Sequence, residues 1–312
     1  MSSLEKWAKE TPYQIKSLAI KDACVAVKNA KKKCLETGQA QEVKYRSKKK
    51  RKDTIYIPKI LVKENSFYRT LMGEIYFTEA IGEVKYDCKV MHHQGRYFLI
   101  KPEDKPIQKP ENQRKNVVGL DPGVRVFQAF YSPEMCGLIG KDSFGRICRL
   151  CHYMDTLISR MSKVNAKKRY RIRKALDRMR WKIRDVIKEI HCKTANFLCK
   201  NYDVIAIPSF ETSEMVVRSM RKIKSKTVRA MLTWSHYKFK VFLKHKCVLM
   251  SSTLFDDLSE AYTSKTCSAC GFLDQNLGGK KIFKCKSCNI QIDRDFNGAR
   301  GFFLRNYHVF GG

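Results

Sequence analysis

The sequence predicts an α/β fold with a zinc ribbon near its C-terminus. Between residues 116 and 262, apolar runs of strand length alternate with long basic stretches of helical character. Four cysteines in two C-x2-C pairs follow. Strands that alternate with helices are typical of an α/β sheet, and cysteine pairs at this spacing are typical of structural zinc sites. With 312 residues, the chain is long enough for about two domains.

The chain begins with a predicted helical segment over residues 1–38. Apolar residues recur at helical spacing within residues 4–37, with lysines opposite them, and Gly38 gives a stop signal. We therefore expect one long helix here.

A small β domain is predicted next, over residues 39–108. Its runs between residues 54 and 100 are short, β-branched or aromatic, and punctuated by Gly and Asn, which favours a β-barrel-like arrangement. Residues 101–115 contain three prolines and no apolar cluster, so they predict a linker to a sheet domain at 116–312.

The sheet domain opens with three predicted strands joined by tight turns. The first, in NVVGLDPGV, is a buried strand because VVGL does not alternate, and it ends at Asp121 and a Pro-Gly turn. The next two strands are predicted in GLIGKDSF and GRICRL. Residues 150–200 predict a basic helical pair that leads to the strand NYDVIAIPSF; residues 216–246 predict another helix and residues 247–254 a last strand.

The four C-terminal cysteines predict a structural zinc site. Cys267 and Cys270 form one knuckle, and Cys285 and Cys288 form the second. Two thiolate pairs at this spacing close a tetrahedral S4 site around Zn²⁺. We expect a zinc ribbon over residues 262–292.

Charge and cysteine usage limit the classes of partner and compartment. Lysine and arginine number 63 against 30 acidic residues, which gives a formal net charge of +33. Such an excess favours a polyanionic partner, above all nucleic acid. No apolar run approaches the roughly 20 residues that span a bilayer, so no membrane is expected. Thirteen cysteines, an odd number, suit a reducing, intracellular compartment.

The basic run at residues 43–52 has three interpretations. It can be a nuclear-localisation patch, a phosphate-binding loop or a solvated run of charge. The nucleus is therefore compatible with the sequence.

Two acids stand where metal ligands are expected. Asp121 ends the first sheet strand, and Asp295 follows the second zinc knuckle. Two-metal cleavage of a phosphodiester needs about three converging carboxylates, and hard oxygen ligands suit Mg²⁺. A single Asp at a strand end is more often a turn cap.

Four segments resemble the RuvC-like nucleases of the transposon-encoded TnpB (OrfB) type, and most of all their eukaryotic and viral Fanzor branch. They are VVGLDPGV at 117–124, IAIPSF at 205–210, EAYTSKTCSACG at 260–271 and CKSCNIQIDRDFNGAR at 285–300. The resemblance implies a RuvC-like (RNase H-like) sheet with an inserted zinc ribbon. It also implies an RNA-guided, Mg²⁺-dependent DNA endonuclease, with a guide RNA and a DNA target as partners.

In the family pattern, the first catalytic carboxylate matches Asp121, and the third matches Asp295 rather than Asp293. The position of the second acid is occupied by Pro208, which cannot bind a metal. We expect Glu260, just beyond the last predicted strand, to replace it, because the carboxyl ends of parallel strands share an edge. Resemblance to the Fanzor branch implies the same replacement.

Two alternatives to Glu260 stay open. Glu211 is the second candidate for the missing acid, with Glu214 also nearby, and an inactive site is the third interpretation. An inactive site would leave a zinc-ribbon protein that binds nucleic acid without cleaving it.

Arginines of the basic helical pair are the candidate phosphate contacts. They are Arg169, Arg171, Arg173, Arg178 and Arg180. Tyr170 and Trp181 lie among them and are candidates for stacking on bases. The alternative is a solvated helix face with aromatics packed inward.

Two further features of the sequence bear on these predictions. Cys148 and Cys151 form a third C-x2-C pair, which we interpret as core thiols rather than a second zinc site. Members of the resembled family begin with a β-strand and further helices before the region that matches residues 4–37. The chain starts partway into the pattern: either it is a short member or the true start lies upstream. A missing first strand would leave the β-barrel at 39–108 incomplete.

Overall fold

A computed structural model describes the chain in two compact units, Met1–Asp104 and Lys105–Gly312. The residues that it describes are 5–44, 52–108, 116–210, 212, 216–217, 225–278 and 281–310.

The helical start of the first unit is broken in two. Helix α1 (Lys6–Glu10) and helix α2 (Tyr13–Thr37) are separated by Thr11 and Pro12. A residue before proline is pushed out of the helical region, and Thr11 is extended at φ −77° and ψ 132°. The second helix ends where predicted, because Gly38 adopts the left-handed conformation at φ +69°.

The β part of the first unit is an open sheet. Its elements are β1 (Lys52–Ile57), β2 (Val62–Lys63), β3 (Ser66–Phe67), α3 (Arg69–Met72), β4 (Cys88–His93) and β5 (Arg96–Ile100). The antiparallel sheet has the order β1–β4–β5, and β2 pairs with β3 in a separate short ladder. Within residues 52–108 these strands do not close a barrel, so the barrel over residues 39–108 stays a prediction.

The second unit is built on one five-stranded mixed sheet. Its strands are β6 (Val117–Pro122), β7 (Gln128–Tyr131), β8 (Cys136–Ile139), β9 (Val204–Pro208) and β10 (Thr253–Leu258). The order is β10–β9–β6–β7–β8. Strands β6, β7 and β8 are antiparallel neighbours, whereas β9 and β10 run parallel to β6. Two parallel strands therefore lie beside the first strand, as expected.

Helices cover both faces of this sheet. They are α4 (Lys141–Ser162), α5 (Ala166–Asn201), α6 (Ser225–Trp234), α7 (His236–Met250) and α8 (Arg294–Phe310). One face carries the larger core, in which Phe127 and Ile205 pack with Leu198 of α5 and Phe239 of α7. On the other face α8 packs closely, and a Cβ added to Gly119 would lie 3.1 Å from Phe303 Cβ.

Two strand predictions are wrong. GRICRL, residues 145–150, lies inside α4, because Ile147, Cys151 and Leu157 are buried at helical spacing once a longer window is considered. The last strand begins at Thr253 rather than at residue 247. Residues 247–250 complete α7, whose buried face continues through Leu243 and Cys247.

The cysteine-rich segment forms a small arm between β10 and α8. Strands β11 (Ile282–Lys284) and β12 (Gln291–Asp293) pair in antiparallel fashion. Phe283 is fully buried against Cys267, Cys285 and Leu277. In the described part of the chain, no helix is long and apolar enough to cross a membrane.

Candidate active site and metal centre

The four predicted zinc ligands converge. Their Sγ atoms all lie within 4.8 Å of one another, with Cys267 and Cys288 at 3.7 Å and Cys270 and Cys285 at 3.6 Å. Four sulfurs at about 2.3 Å from a tetrahedral Zn²⁺ are separated by about 3.8 Å. The cluster therefore has the dimensions and donor set of a metal site.

Backbone amides support thiolates in this cluster. The N–H groups of Ser287 and Cys288 donate to Cys285 Sγ at 3.4 and 3.5 Å. A hydrogen bond from the Phe272 backbone lowers the pKa of Cys270. Both effects favour the charged sulfur that a metal requires.

Cys148 and Cys151 do not form a second cluster of this kind among the described residues. They lie on successive turns of α4, where Cys151 is buried in the main core and Cys148 is exposed. Partial desolvation raises the pKa of the Cys148 thiol. The interpretation as core thiols therefore fits Cys151. It does not fit Cys148, which is exposed.

Asp121, at the carboxyl end of β6, lies near enough to Glu260 and Asp295 for both charges to act on it. Among the described residues, the oxygens of these three carboxylates do not all lie within 4.8 Å of one another. Burial, followed by the negative charges of Glu260 and Asp295, raises the pKa of Asp121 to about 7. The carboxyl of Asp121 also lies against the first turn of α8, since a Cβ on Gly298 would be 2.3 Å from Asp121 Oδ2. Only glycine leaves room for this carboxylate.

Glu260 reaches the site from the neighbouring edge of the sheet. Leu258, the last residue of β10, pairs with Pro208 at the end of β9, and Glu260 follows two residues later. Burial raises the pKa of Glu260. The pairing of β10 with β9 therefore places Glu260 just beyond the end of β9, where Pro208 stands.

Asp293 and Asp295 have different environments. Asp293 Oδ1 accepts the backbone N–H of Asp295 at 2.9 Å, so Asp293 caps the N-terminus of α8. Burial and the adjacent charge of Asp293 raise the pKa of Asp295. It is Asp295 whose charge also acts on Asp121.

Two expectations lie outside the described residues. Glu211 and Glu214, the alternatives to Glu260, are among them, and so is most of the basic run at 43–52.

The sequence reasoning missed a set of residues on α8. Asn297 is fully buried; its Oδ1 accepts the N–H of Ser268 at 3.0 Å and its Nδ2 donates to the Thr266 carbonyl at 2.8 Å. These two groups flank Cys267, so Asn297 fastens the first knuckle to the helix that carries Asp295. The DRDFNGAR segment was recognised only as a motif, although it contains both Asn297 and Gly298.

Comparisons with known proteins support a family. The model of the Cas12f1-like TNB domain matches residues 236–302. "Putative transposase A625R" of Paramecium bursaria Chlorella virus 1 is 30% identical over 243 residues, which are 75% of this chain and 54% of the relative. "TnpB-like protein L79" of Acanthamoeba polyphaga mimivirus is 25% identical over 80% of this chain and 49% of the relative. These matches support a TnpB-like family with viral relatives.

The chain spans about half the length of these viral relatives of the family. A solved CRISPR-Cas12f ternary complex aligns with 82% of this chain and 60% of that chain, at 15% identity and a TM-score of 0.45. This similarity is loose, and the support for the family rests on the sequence relatives. The shared family is a transposon-associated one.

The predicted phosphate contacts of this protein lie on α5. Arg169, Arg171, Arg173 and Arg178 are exposed. Arg169 also donates to the Val164 carbonyl at 3.2 Å.

Arg180 differs from the other four arginines. It is partly buried and donates to Asp177 Oδ1 at 3.2 Å, and Asp177 itself is buried. The guanidinium of Arg180 is therefore already engaged by a carboxylate of the same helix. The aromatics between the arginines have cationic neighbours: Lys174 Nζ lies 4.8 Å from the ring of the exposed Tyr170, and Arg184 lies 5.1 Å from that of Trp181.

Proposed function

We propose that this protein is an RNA-guided, metal-dependent DNA endonuclease of transposon-associated origin, with a RuvC-like catalytic sheet and a zinc ribbon. The observation that carries the proposal is the proximity of Glu260 and Asp295 to Asp121 at the carboxyl end of β6. In a chain with a net charge of +33, the negative charges of Glu260 and Asp295 both raise the pKa of Asp121, and a bound cation would offset this repulsion.

The donor set fits divalent ions with a preference for hard oxygen. Carboxylate oxygens are typical Mg²⁺ ligands. When bound, Mg²⁺ ions supply an activated water and neutralise the charge on the leaving oxygen. We propose that Asp121, Glu260 and Asp295 would hold these ions through their carboxylate oxygens.

The four cysteines are proposed to hold Zn²⁺ in a closed, structural site. Four sulfur ligands leave no open position for water, so this ion takes no part in the chemistry. Its role is to shape the arm between Glu260 and Asp295.

The nucleic-acid partners are proposed to lie along α5. Exposed Arg171, Arg173 and Arg178 would neutralise phosphates, and Tyr170 would stack on bases. A guide RNA would select the DNA target by base pairing. Nuclear import through the run at 43–52 stays a prediction.

A second candidate function is favoured by Pro208. Proline at this strand end is compatible with a protein that has lost cleavage and retains binding through the zinc ribbon and basic helix. The raised pKa of Asp121, caused in part by Glu260, supports the enzyme instead.

One experiment separates the two functions. The protein is purified with the RNA that accompanies it, the RNA is sequenced, and plasmids carrying the matching target are offered with Mg²⁺. We expect cleavage by the wild type and none by Asp121→Asn. Bound RNA without cleavage under any divalent metal would support the binding protein.

A further inference from the structure

The backbone on both sides of Glu260 is held by hydrogen bonds. Asn306 Nδ2 donates to the Ser259 carbonyl at 3.2 Å, and Arg305 Nη1 donates to the Ala261 carbonyl at 2.9 Å. Thr263 Oγ1 donates to the carbonyl of Glu260 itself at 2.9 Å. Three consecutive carbonyls around the glutamate are thus occupied.

Two of these three donors belong to α8. The same helix carries Asp295 in its first turn and contacts Asp121 through Gly298. It also approaches the Glu260 loop closely, since a Cβ on Gly301 would lie 3.1 Å from the Thr263 carbonyl. One rigid element therefore contacts the segments of all three acids.

We propose that Asn306 and Arg305 are positioning residues that fix Glu260 in the metal site by binding the carbonyls on either side of it. The proposal rests on the proposed function, because it assumes that Glu260 is a metal ligand. Glu260 lies beyond the end of β10, in a segment without strand pairing of its own. An acid at the end of a strand, as Asp121 is, has the sheet to hold it.

The two donors differ in burial, which makes the inference testable. Asn306 is only 5% exposed, and its Nδ2 also donates to the Phe302 carbonyl at 2.9 Å. Arg305 is exposed, so its guanidinium can be removed without opening the core. Arg305→Met retains most of the stem and loses the donor, whereas Arg305→Lys retains a donor and the charge.

The experiment measures Mn²⁺ binding to the zinc-loaded full chain, by calorimetry and electron paramagnetic resonance, without nucleic acid. Groups that orient metal ligands typically change metal affinity by 10–100-fold when removed. We expect Asn306→Leu and Arg305→Met each to weaken Mn²⁺ binding by roughly tenfold. Arg305→Lys is expected to stay closer to the wild type than Arg305→Met. Zinc content and unfolding temperature of Arg305→Met are expected to be unchanged.

A control with the same local hydrogen bond is available on α5. Asn201 Nδ2 donates to the carbonyl four residues earlier, that of Phe197, at 2.7 Å, as Asn306 does, but Asn201 is exposed and lies on a different helix from Asp295. Asn201→Leu should leave Mn²⁺ affinity unchanged.

The variant Glu260→Gln distinguishes failure of the positioning role from failure of the proposed metal site. If Glu260→Gln weakens Mn²⁺ binding while a folded Arg305→Met binds Mn²⁺ like the wild type, the positioning role is wrong and the proposed site stands. If Glu260→Gln itself binds Mn²⁺ like the wild type, Glu260 is not a ligand, and the proposed site is wrong together with the positioning role.

Discussion

Two features of the surroundings of Asp121 oppose the ionisation of its carboxyl group. Desolvation at the end of β6, followed by the negative charges of Glu260 and Asp295, raises the pKa of Asp121 from an ordinary 3.8 to about 7, although its surface is only half-buried. A carboxyl of this kind is costly to the fold when ionised and free of metal. Residues that lower the stability of the fold and lie beside groups of the same charge are typical of functional sites.

Asp121→Asn is expected to stabilise the zinc-loaded protein in the absence of Mg²⁺. The folded pKa is raised above the unfolded value, so the folded state binds the proton more tightly, and stability is lost as pH rises through about 7. From pH 6 to pH 8 the wild type should lose about 1.4 kcal/mol relative to Asp121→Asn. Urea unfolding of both proteins at the two pH values measures this. Parallel pH dependences would contradict the raised pKa.

Gly298→Ala is expected to disrupt the acid cluster. The added methyl would meet Asp121 Oδ2 at 2.3 Å and force the carboxylate away. Mn²⁺ affinity should fall roughly tenfold or more. The matched control is Gly145→Ala in α4, where the added Cβ would find only Arg149 Nη1, at 3.7 Å. That change should stabilise the helix by about 0.5–1 kcal/mol. Unchanged metal affinity in Gly298→Ala would show that Asp121 does not bind metal.

At the scale of elements, α8 organises the site. It carries Asp295, leaves space for Asp121 at Gly298, holds the Glu260 loop through Arg305 and Asn306, and fastens the zinc knuckle through Asn297. The knuckle contact bears on the N-terminus of α8 and therefore on Asp295. The side-chain hydrogen bonds beside Glu260 come from Arg305 and Asn306 of α8 and from Thr263, not from the zinc knuckle.

Removal of zinc is therefore expected to act mainly through Asp295. Without the metal, the backbone around Cys267 that Asn297 binds is no longer fixed, and β12 leads directly into the helix. Cleavage should fall at least roughly tenfold. Asn297→Ala should lower cleavage in the same direction while the zinc content, measured by mass spectrometry, stays at one ion. Full cleavage by a verified zinc-free protein would contradict this coupling.

Elements whose pattern is local in the sequence could be predicted, and contacts between distant segments could not. Buried strands such as β6 and β9 and the zinc cysteines are local patterns, and they were predicted. GRICRL was assigned to a strand because six residues do not distinguish a period of 2 from one of 3.6, whereas Ile147, Cys151 and Leu157 together do. The bonds from Arg305 and Asn306 to loop carbonyls join positions more than 40 residues apart and depend on backbone atoms, which leave no pattern in the sequence.

For the whole molecule, charge is the dominant property. An excess of +33 is spread along the chain, while the acids that we propose as metal ligands are on segments near the carboxyl end of β6. This separation suits a protein that attracts a polyanion over a broad surface and places one phosphodiester beside a small negative site.

The exposed arginines of α5 are expected to set the salt dependence of nucleic-acid binding. Arg171→Gln and Arg173→Gln should each reduce the slope of log affinity against log salt by about 1. Arg180→Gln is the contrasting variant. Since Arg180 is paired with the buried Asp177, its loss should lower stability and leave the salt slope unchanged. Fluorescence anisotropy across a salt series measures the slopes, and equal slopes for all variants would favour a merely solvated helix face.

The central claim is that Asp121, Glu260 and Asp295 form a metal-dependent nuclease site in which Glu260 replaces the acid missing at Pro208. The most direct measurement compares Mg²⁺-dependent cleavage of the guide-matched plasmid by the wild type, Glu260→Gln and the control Asp257→Asn, an exposed acid on β10. Loss of a metal ligand worth several kcal/mol should reduce the rate of Glu260→Gln by about a hundredfold or more, with Asp257→Asn unchanged. Equal rates for Glu260→Gln and the wild type would contradict the account.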